Sequence, residues 1–156
     1  MKQQVVLSTY SWIVTIICIY LNLFFIFFNH PPRLIQLLLT LLLLVMSAVG
    51  LFYMPMSISA DKSAIYINRS LKIKAIPMAD ISSVRMCPPT MGAMRIFGSG
   101  GFLGYWGWFR ERDLGKYFAY YGRSSDCFLV ELKDGRKYLL GCKNAPQMVE
   151  YIKSQL

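Results

Sequence analysis

Histidine is nearly absent from this chain: of 156 residues, only His30 is one. A histidine-based metal site or a nucleophile–histidine pair would have a single position to draw on, so neither is expected. Acid is scarce too, with 8 Asp and Glu against 17 Lys and Arg and a formal charge of +9. Charged residues make up 16% of the chain, below the roughly 25% of ordinary soluble domains, while 55% is hydrophobic. The scarcity is uneven. Only Lys2 and Arg33 carry charge before position 55, and no acid does. An uncharged apolar half is therefore joined to a basic polar half, in a chain too short for a large multidomain enzyme.

The apolar half contains two long runs, 11–28 (SWIVTIICIYLNLFFIFF) and 34–54 (LIQLLLTLLLLVMSAVGLFYM). As helices rising about 1.5 Å per residue, each matches the hydrocarbon thickness of a bilayer. Both exceed the core of a secretory signal peptide, and no small-residue cleavage site follows. Pro31 and Pro32 stop the first helix near Asn29 and leave a short turn through Arg33. Residues 1–55 thus read as a membrane hairpin. Lys2 before it and Lys62, Arg69, Lys72 and Lys74 after it set both termini in the cytoplasm of an inner (cell) membrane protein. Thr15, Asn22, Gln36 and Thr40 are either polar contacts between the helices or tolerated single polar residues.

From Pro55 the period changes to two. SAIYIN and LKIKAI alternate around Asn68-Arg69-Ser70, with Leu71, Ile73 and Ala75 assigned to one face and Lys72 and Lys74 to the solvated one. A weaker strand is read over 79–86. CFLVELK and RKYLLGC flank Asp134-Gly135, read as a two-residue turn. That register opposes Val130 to Leu139, Phe128 to Gly141 and Cys127 to Cys142, and puts Phe128, Val130, Leu132 and Leu139 on one core face. A cross-strand disulfide is then conceivable, but a reducing cytoplasm keeps the thiols. Asn144, with Gln147 three residues on, starts an amphipathic helix over about 145–155. Residues 56–156 are expected to form an antiparallel barrel or sandwich capped by this helix.

Residues 91–122 hold eight of the eleven glycines and two of the three tryptophans. So many aromatics argue against a linker and for an ordered loop or bulged strand, with the KYFAYY run, 116–121, resuming as a strand. GSGGFLG lacks the Lys-Ser/Thr ending of a phosphate loop, so no cofactor is expected. Trp106, Trp108 and Phe109, followed by Arg110 and Arg112, suit a contact with headgroups or a partner beside the bilayer. The competing reading packs these aromatics on the barrel. Lys72 and Lys74 form a second candidate basic patch. Glu111 and Asp113, alternating with Arg110 and Arg112, read as surface ion pairs of small value.

The N-terminal hairpin, the RIFGSGGFLGYWGWF and LGKYFAYYG segments, the DGRKYLL strand and the short last helix together resemble bacterial pleckstrin-homology-like (PH-like) domain proteins. The resemblance covers about residues 56–156 and implies a bent, seven-stranded antiparallel barrel with a C-terminal capping helix. No catalytic constellation is present, so the expected function is non-enzymatic. The PH-like module would bind a protein, a peptide or anionic lipid headgroups. The alternative is a scaffold subunit of a larger membrane complex, with the barrel as a homo-oligomerisation surface. Bases are spread rather than clustered, so nucleic acid is not an expected partner.

Overall fold

In the computed structural model, which describes residues 1–27 and 33–156, two helices stand beside two stacked sheets. Helix α1 spans Thr9–Phe27 and α2 spans Arg33–Tyr53. Both are long and apolar enough to cross a membrane, with only 11% and 6% of their most apolar windows buried. Core helices of a soluble fold would be largely covered, so these are candidate membrane spans. The expected turn at Asn29-His30-Pro31-Pro32 lies outside the described residues.

A short strand precedes the helices. β1 (Lys2–Gln4) pairs antiparallel with β2 (Pro55–Ala60), on the far side of the helical pair in sequence. Further bonds hold it there: the Met1 ammonium donates to Ala60 O at 2.6 Å, and Lys143 N donates to Gln4 O at 2.9 Å. The N-terminus is therefore an edge of the β-domain as well as the start of the helical segment.

β3 (Ala64–Arg69) and β4 (Ile73–Pro77) complete an antiparallel sheet of order β1-β2-β3-β4. The second sheet contains β5 (Ile81–Met86), β6 (Met94–Gly101), β7 (Gly104–Glu111), β8 (Gly115–Tyr121), β9 (Cys127–Leu132) and β10 (Lys137–Gly141), in the order β5-β9-β10-β8-β7-β6. All its pairs are antiparallel except β10 with β8. Ile58, Ile65, Ile67 and Ile76 of the first sheet meet Phe128, Val130, Tyr120 and Leu140 of the second. Helix α3 (Ala145–Lys153) adds Ala145, Met148, Val149 and Ile152 to that core. The sheet-sandwich-plus-helix architecture is the one expected; among the described residues it has nine strands from Pro55 on rather than seven, β1 as a tenth, and one parallel pairing.

Two registers differ from the sequence reading. The β9–β10 loop has three residues, with Leu132 N bonded to Arg136 O at 2.9 Å and Gly135 at φ +85°. This is the longer hairpin turn that closes on a left-handed glycine. The extra residue moves every pair by one: Val130 faces Tyr138, Phe128 faces Leu140, and Cys127 faces Gly141 rather than Cys142. Phe128, Val130 and Leu132 keep their core face, but Leu139 turns to the other side of the sheet with Leu129 and Cys127. In β4, Ile76 pairs with Ile65 and is buried. Strict alternation then carries Lys74 inward and leaves Leu71, Ile73 and Ala75 exposed, the reverse of the expected faces. Asn144 stands at the N-cap of α3, yet its side chain makes no capping bond.

Candidate functional site

The glycine-rich segment forms the β6–β7 hairpin. Gly98 and Gly107 face each other at φ +126° and +122°, and the two backbones approach so closely that neither position has room for a Cβ. The tip, Phe102-Leu103, docks between the two long helices. Leu103 N donates to Thr15 Oγ1 at 3.0 Å, and Gly50 of α2 leaves a seat against the Phe102 ring. Thr15 thus serves the hairpin rather than the other helix, while Asn22 Nδ2 donates to Cys18 O within α1 at 2.7 Å.

Alternation along β7 sorts the aromatics. Trp106, Trp108 and Arg110 point to the inner face; Tyr105, Phe109 and Glu111 point to the outer one. Trp106 is 6% exposed, stacks on Tyr53 at 5.2 Å between centroids, and donates its indole N–H to Phe102 O at 3.2 Å. Phe109 is 4% exposed and stacks on Tyr117. These two therefore pack inside, on opposite sides of the sheet, and offer no surface to lipid. Trp108 is half-buried, while Arg110 and Arg112 are exposed. Among the described residues, Glu111 forms no surface ion pair. It is buried and accepts from Tyr117 OH at 2.5 Å and Thr90 Oγ1 at 2.8 Å, tying the β5–β6 connection to the sheet.

The inner face of β8 joins the cations into one shelf. Lys116 Nζ lies 4.5 Å from the Trp108 ring centroid, and Trp108 meets Phe118 edge-on at 5.0 Å. Lys74 Nζ is 5.6 Å from Phe118 and 4.4 Å from Tyr138, and donates to Tyr138 OH at 3.0 Å. Arg69 lies over Phe52, Tyr53 and Tyr120, 5.0 to 5.9 Å from their centroids, and donates to Tyr120 OH at 3.5 Å. Each ring presents its negative face to a cation. The carboxylates in ion pairs serve other bases: Glu131 meets Arg85 and Lys137, Asp126 meets Arg123, and Asp134 meets Arg136. Among the described residues, Arg69, Lys74, Arg110 and Lys116 have no carboxylate partner.

Of the two lysines expected to form a patch, Lys74 belongs to this shelf and Lys72 sits exposed in the preceding turn. Arg69, Lys116, Tyr120 and Tyr138 escape a reading by sequence proximity, because three separate strands, β3, β8 and β10, supply them. Burial pushes Tyr120 up to about 12 and holds Tyr117 and Tyr121 above the usual phenol range, with the Glu111 hydrogen bond adding to the rise at Tyr117. Unfolded tyrosines ionise near 10, so above that pH the unfolded chain sheds protons the folded chain keeps. Stability is expected to be flat just below pH ~10 on account of these groups and to fall as pH rises beyond it. Thermal melts of the full chain in detergent across that range check this; a melting point that rises there would refute it.

A family model described as Bacterial PH domain matches residues 56–156. The chain belongs to the bacterial PH domain family. No curated protein and no solved structure matches it. In this PH domain, the shelf lies where β3, β4, β8 and β10 meet the end of α2, whose last residues Phe52 and Tyr53 form its wall.

Proposed function

We propose that this PH domain is a non-enzymatic, membrane-anchored binding module whose shelf takes anionic lipid headgroups at the cytoplasmic face of the cell membrane. The observation that carries the reading is the run of Arg69, Lys74 and Lys116 over aromatic rings, free of carboxylates and beside the end of a candidate span. Guanidinium and ammonium groups held in this way have donors left over for phosphate beyond those given to the tyrosine hydroxyls. The β1–β2 pairing supports a two-span hairpin, since the residues before α1 and the domain after α2 must lie on one side. Lys2, Lys62 and Lys72 support the cytoplasmic side.

Calorimetric titration of the full chain in neutral detergent with short-chain phosphatidylglycerol and phosphatidylcholine tests the reading. The anionic lipid is expected to bind more tightly, and more weakly as salt rises. Each nearby base is worth about 1 kcal/mol, so Lys74→Gln with Lys116→Gln should weaken it by about 30-fold. Equal affinity for the two lipids, or an indifferent double variant, would sink the headgroup assignment. A specific dimer formed through the shelf would favour the scaffold role instead.

A further inference from the structure

Outside the shelf, a groove of about 600 Å³ runs between α1, α2 and β6. Such a volume falls within the roughly 300–1,000 Å³ of small-ligand sites. Its walls are Leu43, Val45 and Met46 of α2, Cys18 and Asn22 of α1, and Phe97 of β6. Ser47 and Arg95 supply polar groups, and no acid lines it. Arg95 is exposed and meets no carboxylate among the described residues; its guanidinium lies back along β6 against Gly100. β6 is the edge of its sheet and exposes Met94, Ile96 and Phe97 beside this groove.

An apolar trough along two spans, with one uncompensated cation, matches a molecule with a hydrocarbon tail and a single anionic head. Water-soluble anions would gain nothing from the trough, and a zwitterionic phospholipid would bring a second cation beside Arg95. We propose that the groove holds one anionic glycerophospholipid from the surrounding bilayer, its phosphate on Arg95 and a chain along α2. The inference rests on the membrane reading above but not on the shelf. The groove and the shelf use different cations.

The test uses the full chain in nanodiscs of equimolar phosphatidylglycerol and phosphatidylcholine, released into mild detergent for native mass spectrometry. The expected result is one retained phospholipid per chain, enriched in phosphatidylglycerol. Arg95→Gln should cut that enrichment by about tenfold, Arg95→Lys should restore part of it, and Ser47→Phe should lower total occupancy by filling the trough. Lys74→Gln with Lys116→Gln should leave retention unchanged while weakening the shelf titration. Absence of retained lipid, retention indifferent to Arg95→Gln and Ser47→Phe, or a lipid-free dimer closing the groove would each overturn the proposal. A delipidated chain that binds glycerol phosphate as tightly as the whole lipid would overturn it too. Lipid loss in the shelf variant alone would refute the groove and leave the shelf standing.

Discussion

Gly107→Ala is expected to remove more than about 4 kcal/mol of stability, an effect at the extreme of single substitutions. The residue sits at φ +122° on β7, where side chains are strained whatever the space around them. Space is lacking as well. An added Cβ would overlap the Phe97 carbonyl oxygen and lie 2.7 Å from Gly98 Cα. Both obstacles are backbone, so neither can swing aside. Gly98 meets the same obstruction from the other strand, so β6 cannot shift without breaking its pairing with β7. Gly115→Ala is the control: φ is +70° there, but nothing lies within 4 Å of the added carbon, and the loss should be about 1–2 kcal/mol. Thermal unfolding of the two full-length variants in the same detergent measures the difference. Similar melting points would show that the close approach of β6 and β7 is wrong.

Such a substitution would also reach the two candidate membrane helices. The β6–β7 hairpin carries its tip to Thr15 and Gly50, so an open hairpin withdraws the contact between the β-domain and the two long helices. The groove and the Trp106–Tyr53 stack depend on that contact. Stability and the candidate ligand sites are coupled through a few residues at the hairpin tip.

The two apolar runs, the change of period at Pro55 and the amphipathic last helix were all legible, because each is a local pattern long enough to outvote its exceptions. The faces of β4 and β9–β10 were not. Ile73, Ala75 and Ile76 put apolar residues on both sides of β4, and the same holds for CFLVEL and KYLLG. Alternation has no casting vote there. Pairing partners and a turn one residue longer decide the register instead. The cations follow from that decision: once Ile76 is inside, Lys74 has to be inside as well. The N-terminal strand gave no signal at all, since Lys2–Gln4 is only three residues long and its partner lies beyond both helices. Glu111 was misread because Arg110, beside it in the strand, points to the opposite face, and Arg112 lies in the turn that follows. Its actual partners, Thr90 and Tyr117, come from other elements.

Phe128→Ala should cost about 3–5 kcal/mol, and its coupling to the neighbouring strand distinguishes the two possible registers. Phe128 is fully buried between the sheets and pairs with Leu140, also fully buried on the same face. Leu139, one residue away in sequence, lies across the sheet in the second cluster with Leu129 and Tyr117. A cavity at Phe128 is therefore shared with Leu140 and separated from Leu139 by the backbone of the sheet. In double-mutant cycles with alanine, the Phe128–Leu140 pair should show a coupling of about 0.5–3 kcal/mol, whereas Phe128 and Leu139 should be additive within about 0.5 kcal/mol. Urea unfolding of the full chain in micelles supplies the four stabilities each cycle needs. A coupling that appears with Leu139 and vanishes with Leu140 would restore the two-residue turn at Asp134-Gly135. It would also return Cys142 to a position opposite Cys127, so the same strand pairing has a second, chemical readout in whether an oxidant can join those two thiols in the folded chain.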